Sequence, residues 1–180
     1  MMAGSDLLFE HVRDLPFFRG LLRAIESRAY RQIEFEVPIL DLGCGDGHFA
    51  QVTFTKQVTV AIDPLVEHIR EAKQRNIYAM VTEGSGTQLP FPNDYFSSAF
   101  SNSVLEHIQN IDPVLEEVSR VLKQGGLFVF CVPNEKFLPS LAIGIFLDSL
   151  GLKRLAEHYR SFFNKVSRHF TSESIEQWTI

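Results

Sequence analysis

The sequence lacks the features that mark membrane and secreted proteins. A membrane-spanning helix needs about 20 apolar residues, and the longest apolar stretch, Leu138–Leu152, is interrupted by Pro139, Gly144 and Asp148. Residues 1–10 have neither the basic nor the apolar region of a signal peptide. We therefore expect a cytoplasmic protein.

Basic residues and cysteines are both scarce. The 180-residue chain has 17 lysines and arginines against 22 acidic residues, which gives a net charge of −5. Proteins that bind nucleic acid non-specifically are usually basic, so we predict no nucleic-acid partner. Two cysteines, Cys44 and Cys131, are too few for a disulfide framework and favour a reducing compartment. No His, Cys and Asp residues have metal-ligand spacing, so we predict no metal site.

The chain does contain short apolar runs that alternate with amphipathic segments. Strands are predicted over Val37–Leu42, Val58–Ile62, Ile77–Val81, Phe96–Phe100 and Leu127–Val132. Helices are predicted over Phe17–Arg31, Leu65–Arg75 and Asp112–Leu122. This alternation favours an α/β fold, a doubly wound Rossmann-like and mostly parallel sheet in a three-layer αβα arrangement.

A glycine-rich turn, Asp41–Gly47, follows the first predicted strand. Gly43, Gly45 and Gly47 permit a sharp turn and let a ligand lie against bare main chain. The amides of the turn and of the helix behind it would be donors for an anion. A tight turn with a purely structural purpose would have the same pattern.

Two acidic residues refine the nature of the ligand. The G-x-G-x-G spacing, followed by His48, departs from the G-x-G-x-x-G/A pattern of dinucleotide-binding proteins. Asp41 would repel a pyrophosphate but attract a cation, and Asp63 lies where an acid can accept ribose hydroxyls. The pattern therefore favours a cationic, ribose-bearing ligand without phosphates, such as S-adenosylmethionine, over the NAD of an oxidoreductase.

Several segments, in the same order, resemble class I S-adenosylmethionine-dependent methyltransferases, in particular the type 11 methyltransferase domain. The similar segments are Ile39–Gly47, Ala61–Pro64, Leu89–Pro92 with Phe96, Ser101–Ile108, Arg120–Gly126 and His169–Ser174. The resemblance implies S-adenosyl-L-methionine as cofactor, with contacts from Asp41, Gly43, Cys44, Gly45, Gly47, Asp63, Pro64, Ser85, Gly86, Ser101 and Asn102. Asp41 is implied to orient the amino group and Asp63 to hold the ribose hydroxyls, with Ile62 and Pro64 against the adenine. Ser85 stands where the family usually has an acid for the adenine amine.

The implied reaction is an in-line methyl transfer, in which the protein mainly positions and desolvates the reactants. His107, just past the fourth predicted strand, is the candidate general base, and a histidine satisfied by a backbone partner is the alternative. His48 is predicted to be a solvent-facing helix residue.

The segment 134–168 is expected to determine the methyl acceptor. Its first half is apolar, and its second half has five basic residues, Lys153, Arg154, Arg160, Lys165 and Arg168. One interpretation is a lid over a small lipophilic or aromatic acceptor with an anionic group. A second is peripheral membrane contact through residues 138–168, and a third is an ordinary helical hairpin.

We expect a single domain over residues 1–180. Its parts are an N-terminal helical segment (1–36), a cofactor-binding core (37–133), the acceptor lid (134–168) and the start of a final helix (169–180). The resemblance implies that the family's C-terminal strand hairpin is missing, so we expect a truncated chain. The missing hairpin would leave an open sheet edge, which could pair with a second copy of the chain in a homo-oligomer. The alternative function is a non-catalytic cofactor-binding or scaffold domain of the same fold.

Overall fold

Five strands form one sheet in the computed structural model, which describes residues 6–133 and 142–166. They are β1 (Ile39–Leu42), β2 (Val58–Asp63), β3 (Tyr78–Glu83), β4 (Phe96–Asn102) and β5 (Leu122–Cys131). Their order across the sheet is β3-β2-β1-β4-β5, and every pairing is parallel. The predicted Rossmann-like α/β fold is confirmed.

Seven α-helices and one short 3-10 helix accompany the sheet in the described residues. The helices are α1 (Leu7–Asp14), α2 (Phe17–Tyr30), α3 (His48–Thr53), α4 (Val66–Gln74), α5 (Asp112–Val121), α6 (Ala142–Ser149) and α7 (Lys153–Val166), and the 3-10 helix is Leu105–His107. Asp6 caps α1 by accepting from the amides of Leu8 and Phe9. Pro16 immediately precedes α2, where its fixed φ favours helix entry.

The strand order reverses at β1, which lies between β2 and β4. Leu42 is in register with Ile62 of β2, and Asp41 with both Ala61 of β2 and Phe100 of β4. In open α/β sheets, ligands bind outside the carboxyl ends of the strands at this reversal. The glycine-rich turn therefore begins where the topology leaves a crevice.

The two sheet faces are packed differently. One face is mainly aromatic, where Phe100 of β4 contacts Tyr30, Phe35 and Phe54, with ring centroids 4.8–6.0 Å apart. Such aromatic pairs contribute about 0.5–1.5 kcal/mol beyond their buried area. On the other face, Leu42 and Val114 of α5 both lie close to Gly86. Three of the sixteen phenylalanines are thus packed together in the core.

Two local features differ from the sequence-based expectations. Helix α1 lies in the expected N-terminal helical segment and α3 is the expected helix behind the glycine-rich turn, but the bounds of neither were predicted. Strand β5 begins at Leu122 and not at Leu127, because the chain leaves α5 directly into pairing with Phe96, and a register shift follows before Leu127 pairs with Ser98. Gly125 has a φ of +75° within this irregular stretch.

The prediction that His48 faces solvent was wrong. His48 is 4% exposed, and its Nε2 lies 3.1 Å from Nδ1 of His11, which is fully buried. Nε2 of His11 is 2.8 Å from the Ser27 hydroxyl, which in turn is 2.7 Å from that of Thr53. This buried polar chain joins α1, α2 and α3.

The chain divides into two compact units. Of the described residues, the first unit comprises 6–102 and 112–131, and the second comprises 103–111, 132–133 and 142–166. In the second unit, α6 and α7 pack on each other, and Arg160 donates to the Asp148 carboxylate at 2.6 Å.

The assignment of a single domain stays a prediction. The predictions of a missing C-terminal strand hairpin and of a final helix over 169–180 lie outside the described residues. Within the described part, no helix has both the length and the apolar character to cross a bilayer.

Candidate functional site

The glycine-rich turn is fastened to the end of β2. The amides of Gly43 and Cys44 both donate to the Ile62 carbonyl, at 2.8 and 3.1 Å, and the Gly45 amide donates to Oδ2 of Asp63 at 2.9 Å. Gly43, Gly45 and Gly47 all have positive φ, between 53° and 77°. Positive φ is costly for residues with a Cβ, which explains glycine at alternate positions.

These bonds correct one expectation about the turn. The amides of Gly43, Cys44 and Gly45 are not available to an anion, because each already has an acceptor within the chain. The Gly47 amide donates to the Cys44 carbonyl, and the His48 amide donates to Oδ1 of Asp46. The turn thus offers little to a pyrophosphate, as the departure from dinucleotide spacing suggested. A Cβ at Gly45 would meet no atom within 4 Å, so the space beside that residue is open.

Asp63, the last residue of β2, lies beside this turn and is 6% exposed. Its Oδ2 accepts from the Gly45 amide, and its Oδ1 accepts from the Leu65 amide at 3.0 Å. Nδ1 of His68, on α4, lies 3.0 Å from the same Oδ1. Pro64 is exposed, whereas Ile62 is 1% exposed. A Cβ added at Gly84 would lie 2.7 Å from Cδ1 of Ile62, so Gly84 packs closely against this side chain.

Asp41 is buried near the carboxyl end of β1. It is 4% exposed, and its Oδ2 accepts a 2.6 Å hydrogen bond from the Tyr78 hydroxyl. Burial raises the pKa of Asp41 to about 7; the Tyr78 hydrogen bond acts in the opposite direction, and the Asp63 charge adds to the rise. Burial likewise raises the pKa of the Cys44 thiol, so this cysteine stays protonated and is no nucleophile.

Ser101 and Asn102 end β4 and contact α2. The Ser101 hydroxyl donates to the Leu42 carbonyl at 2.9 Å, and its own carbonyl accepts from the Tyr30 hydroxyl at 3.1 Å. Nδ2 of Asn102 donates to Glu26 at 3.0 Å. The buried Oδ1 of Asn102 accepts no hydrogen bond from the described residues. An acceptor in this state at the crevice suits a ligand with an N–H donor.

Ser85 and Gly86 follow β3 in a tight turn. Ser85 is exposed, its hydroxyl lies 2.9 Å from that of Thr87, and it accepts from the Thr87 amide at 3.2 Å. Glu83, also exposed, is in register with Asp63 across β2 and β3. The register brings the Glu83 backbone beside the ribose-binding candidate, while the Ser85 hydroxyl is engaged locally.

The structure brings together most of the predicted cofactor contacts in one unit. Asp41, the glycine-rich turn, Asp63, Ser101 and Asn102 all belong to the first unit, at the carboxyl edge of the sheet. His107 ends the 3-10 helix of the second unit, and its side chain is exposed. Its role as a base stays a prediction.

Sequence reasoning missed Tyr78, Tyr30, Glu26 and His68, which hold the predicted residues in place. A tyrosine in an apolar strand resembles any core aromatic, and its hydrogen bond to a non-adjacent strand has no sequence signal. His68 could have been found from its position, because a residue five beyond the strand-ending Asp63 lies within the first turn of the following helix. In the described residues, no three metal-ligating side chains are grouped to hold a metal ion.

A family model described as "Methyltransferase domain" matches residues 40–130, from β1 to near the end of β5. The chain belongs to the class I S-adenosylmethionine-dependent methyltransferase family. The match includes the glycine-rich turn, Asp63 and the end of β4.

Named relatives agree with this family, and a solved structure shares the fold. The chain is 34% identical over 128 residues to sarcosine/dimethylglycine N-methyltransferase of Aphanothece halophytica, covering 63% of this chain and 46% of the relative. It is 28% identical over 121 residues to demethylmenaquinone methyltransferase of Streptomyces avermitilis, covering 66% of this chain and 49% of the relative. A SAM-dependent methyltransferase from Thermotoga maritima superimposes with a TM-score of 0.64 at 19% identity, covering 94% of this chain and 76% of that one. This likeness shows the shared fold. The chain spans about half the length of the curated relatives it matches.

Proposed function

We propose that this methyltransferase-family chain binds S-adenosylmethionine at the carboxyl ends of β1, β2 and β4. The observation that carries the proposal is the pair of buried acids, Asp41 and Asp63, on either side of a turn whose own amides are occupied. Such a site favours a ligand with a cationic group and hydroxyl donors, and it disfavours phosphates. The buried Oδ1 of Asn102, at the end of β4, adds an acceptor for an ammonium group.

When bound, the cofactor supplies a methyl group activated by a positively charged sulfur. The chain's residues then have to bind, orient and exclude water. Asp63 would accept from the ribose, and the open space beside Gly45 would admit the methionine portion close to the main chain. Asp41 would face the amino group and favour its charged form.

Calorimetric titration with S-adenosylhomocysteine tests this proposal. We expect binding by the wild-type chain, at least a tenfold loss in Asp63→Asn, and no measurable binding of NAD. Asp94→Asn is the matched control, because Asp94 is an exposed aspartate that precedes the amino end of β4, away from the carboxyl ends of the strands. Equal binding by both variants, with folding verified by circular dichroism, would contradict the site.

For the acceptor, we propose a small lipophilic or aromatic molecule with an anionic group, with His107 as a base if the acceptor is protonated. The second unit supports this class, because Ile143, Phe146 and Leu150 are each more than half exposed and the basic Lys153 and Arg154 follow. The names of two relatives refer to bulky apolar acceptors, demethylmenaquinone in one and a sterol in the other.

Competing interpretations of the acceptor segment give different results in two assays. Methyl transfer from labelled cofactor to apolar carboxylates or phenols would support the small acceptor. Salt-sensitive sedimentation with anionic vesicles would support peripheral membrane contact through residues 138–168 instead. Cofactor binding without turnover on any acceptor class would favour the non-catalytic alternative.

A further inference from the structure

The carboxylate of Asp63 is more crowded than ribose recognition requires. It accepts three hydrogen bonds from two segments, one from the Gly45 amide of the glycine-rich turn and two from the start of α4, where the Leu65 amide and the His68 imidazole donate; the distances are 2.9, 3.0 and 3.0 Å. A carboxylate oxygen accepts and does not donate, so Nδ1 of His68 carries the hydrogen in this contact.

The distribution of these bonds over the two oxygens is uneven. Each carboxylate oxygen has about two acceptor positions. Oδ1 has both filled, by Leu65 and His68, whereas Oδ2 has one filled, by Gly45. One position on Oδ2 is therefore open. Two adjacent ribose hydroxyls that each donate to a different oxygen would need a position on Oδ1 as well.

His68 is the partner of Oδ1 that can leave. The Leu65 amide is fixed by the main chain at the entry to α4, where the Leu65 carbonyl also accepts from the Ile69 amide. The His68 side chain is 41% exposed, compared with 8% for that of Asp63. Rotation about its side-chain torsions would carry the imidazole into solvent without disturbing the backbone.

We propose that His68 is a positioning residue that competes with the second ribose hydroxyl for Oδ1 of Asp63. This inference rests on the proposed function and concerns the same site. In the free protein, His68 holds the buried carboxylate in place together with the two amides. The ligand's first hydroxyl takes the open position on Oδ2, and the second is accepted only when His68 turns away. His68 thereby lowers the affinity for ribose-bearing ligands and weakens the selection for an intact diol.

The test compares S-adenosylhomocysteine with its 2′-deoxy and 3′-deoxy analogues by calorimetry. The proteins are wild type, His68→Ala and Gln74→Ala, the last a control for an exposed substitution on the same helix. We expect His68→Ala to bind S-adenosylhomocysteine about 3- to 10-fold more tightly than wild type. We also expect the loss on removing one of the two hydroxyls to be at most about 3-fold in wild type and at least about 10-fold in His68→Ala.

A structural readout accompanies the affinities. In wild type, saturation with S-adenosylhomocysteine should change the imidazole nitrogen chemical shifts of His68, because its bond to Asp63 is broken. Unchanged shifts, or equal or weaker binding by His68→Ala with the same hydroxyl dependence, would overturn this inference and leave the proposed cofactor intact. If none of the folded proteins, wild type included, binds any of the three compounds, both the inference about His68 and the proposed cofactor binding would be overturned.

Discussion

The Tyr78 hydroxyl, on the first residue of β3, donates a 2.6 Å hydrogen bond past the intervening strand β2 to Oδ2 of Asp41 in β1. Both residues are buried, at 7% and 4% exposure. Burial raises the pKa of the Tyr78 phenol, so it stays a donor. The bond favours the ionised form of Asp41, which burial disfavours, and the pKa of this carboxyl comes to lie at about 7. Its charge state is therefore balanced near neutral pH.

Tyr78→Phe should shift the pH dependence of cofactor binding. Loss of the donor raises the pKa of Asp41 further, so less of it is ionised at pH 7 to face a cationic amino group. We expect affinity for S-adenosylhomocysteine to fall about 3- to 10-fold at pH 7 and to recover toward pH 9, as measured by calorimetry between pH 6 and 9. Tyr95→Phe, at an exposed tyrosine, is the control. An equal loss at every pH would show that Tyr78 acts by packing alone.

Asp41→Asn should change how the stability of the free protein depends on pH. The pKa of Asp41 is raised from 3.8 to about 7 on folding, so its stabilising contribution is complete below 3.8 and is lost as pH rises through 7. The asparagine of the variant does not titrate, so the stability of the variant does not fall with pH for this reason. Relative to wild type, we expect its free energy of unfolding to improve by on the order of 2 kcal/mol between pH 5 and pH 8. Urea unfolding without ligand measures this, and a constant difference would refute the buried-acid assignment.

His11→Gln should flatten the stability profile on the acid side. Burial, followed by the charges of His48, Arg23 and Arg31, lowers the pKa of His11 from 6.5 to about 4. The contribution of a depressed histidine is present above 6.5 and is lost as pH falls through 4. Wild type should therefore lose on the order of 3 kcal/mol more than the variant over that range. Urea unfolding at pH 4–8 measures the difference, with exposed His158→Gln as control. A slope shared by both proteins would argue against a neutral buried His11.

Gly45→Ala and Gly47→Ala form a matched pair that separates backbone strain from crowding. Both positions have positive φ, 53° and 77°. A Cβ at Gly45 meets nothing within 4 Å, whereas one at Gly47 lies 3.0 Å from the Tyr78 ring and 3.3 Å from the Ala72 backbone. We expect a loss of about 1 kcal/mol at Gly45 and about 2–4 kcal/mol at Gly47, from denaturant unfolding without ligand. Similar losses of stability in the two variants would mean that the Tyr78 ring and the Ala72 backbone move to accommodate a Cβ at Gly47.

The strands were predictable because short apolar runs end at turn residues. Val58–Ile62 and Phe96–Phe100 were predicted to within two residues of the observed strands. The bounds of helix α1 within the predicted N-terminal helical segment were not predicted, because its only fully buried side chain is His11, and a polar residue gives no hydrophobic periodicity. Helix α3 has six residues, which is too short for a periodic pattern.

The candidate site was predictable in its acids and glycines but not in its supports. Asp41 and Asp63 follow apolar strand residues directly, and that adjacency places them at the carboxyl edge of the sheet. Tyr78 and His68 act through contacts across strands or onto a helix, which depend on register and side-chain reach. The occupied amides of Gly43 and Cys44 were equally invisible, because a glycine pattern shows where a turn occurs and not which carbonyl its amides meet.

The attachment of the glycine-rich turn to the Ile62 carbonyl has a consequence for redesign. The turn acquires its shape during folding, so an incoming ligand meets a preorganised surface and association carries little loss of conformational entropy from this segment. The same attachment restricts which ligands the turn can recognise. Respacing the glycines toward a dinucleotide pattern would leave the amides of Gly43 and Cys44 facing β2. Phosphate recognition would require the strand end itself to be rebuilt.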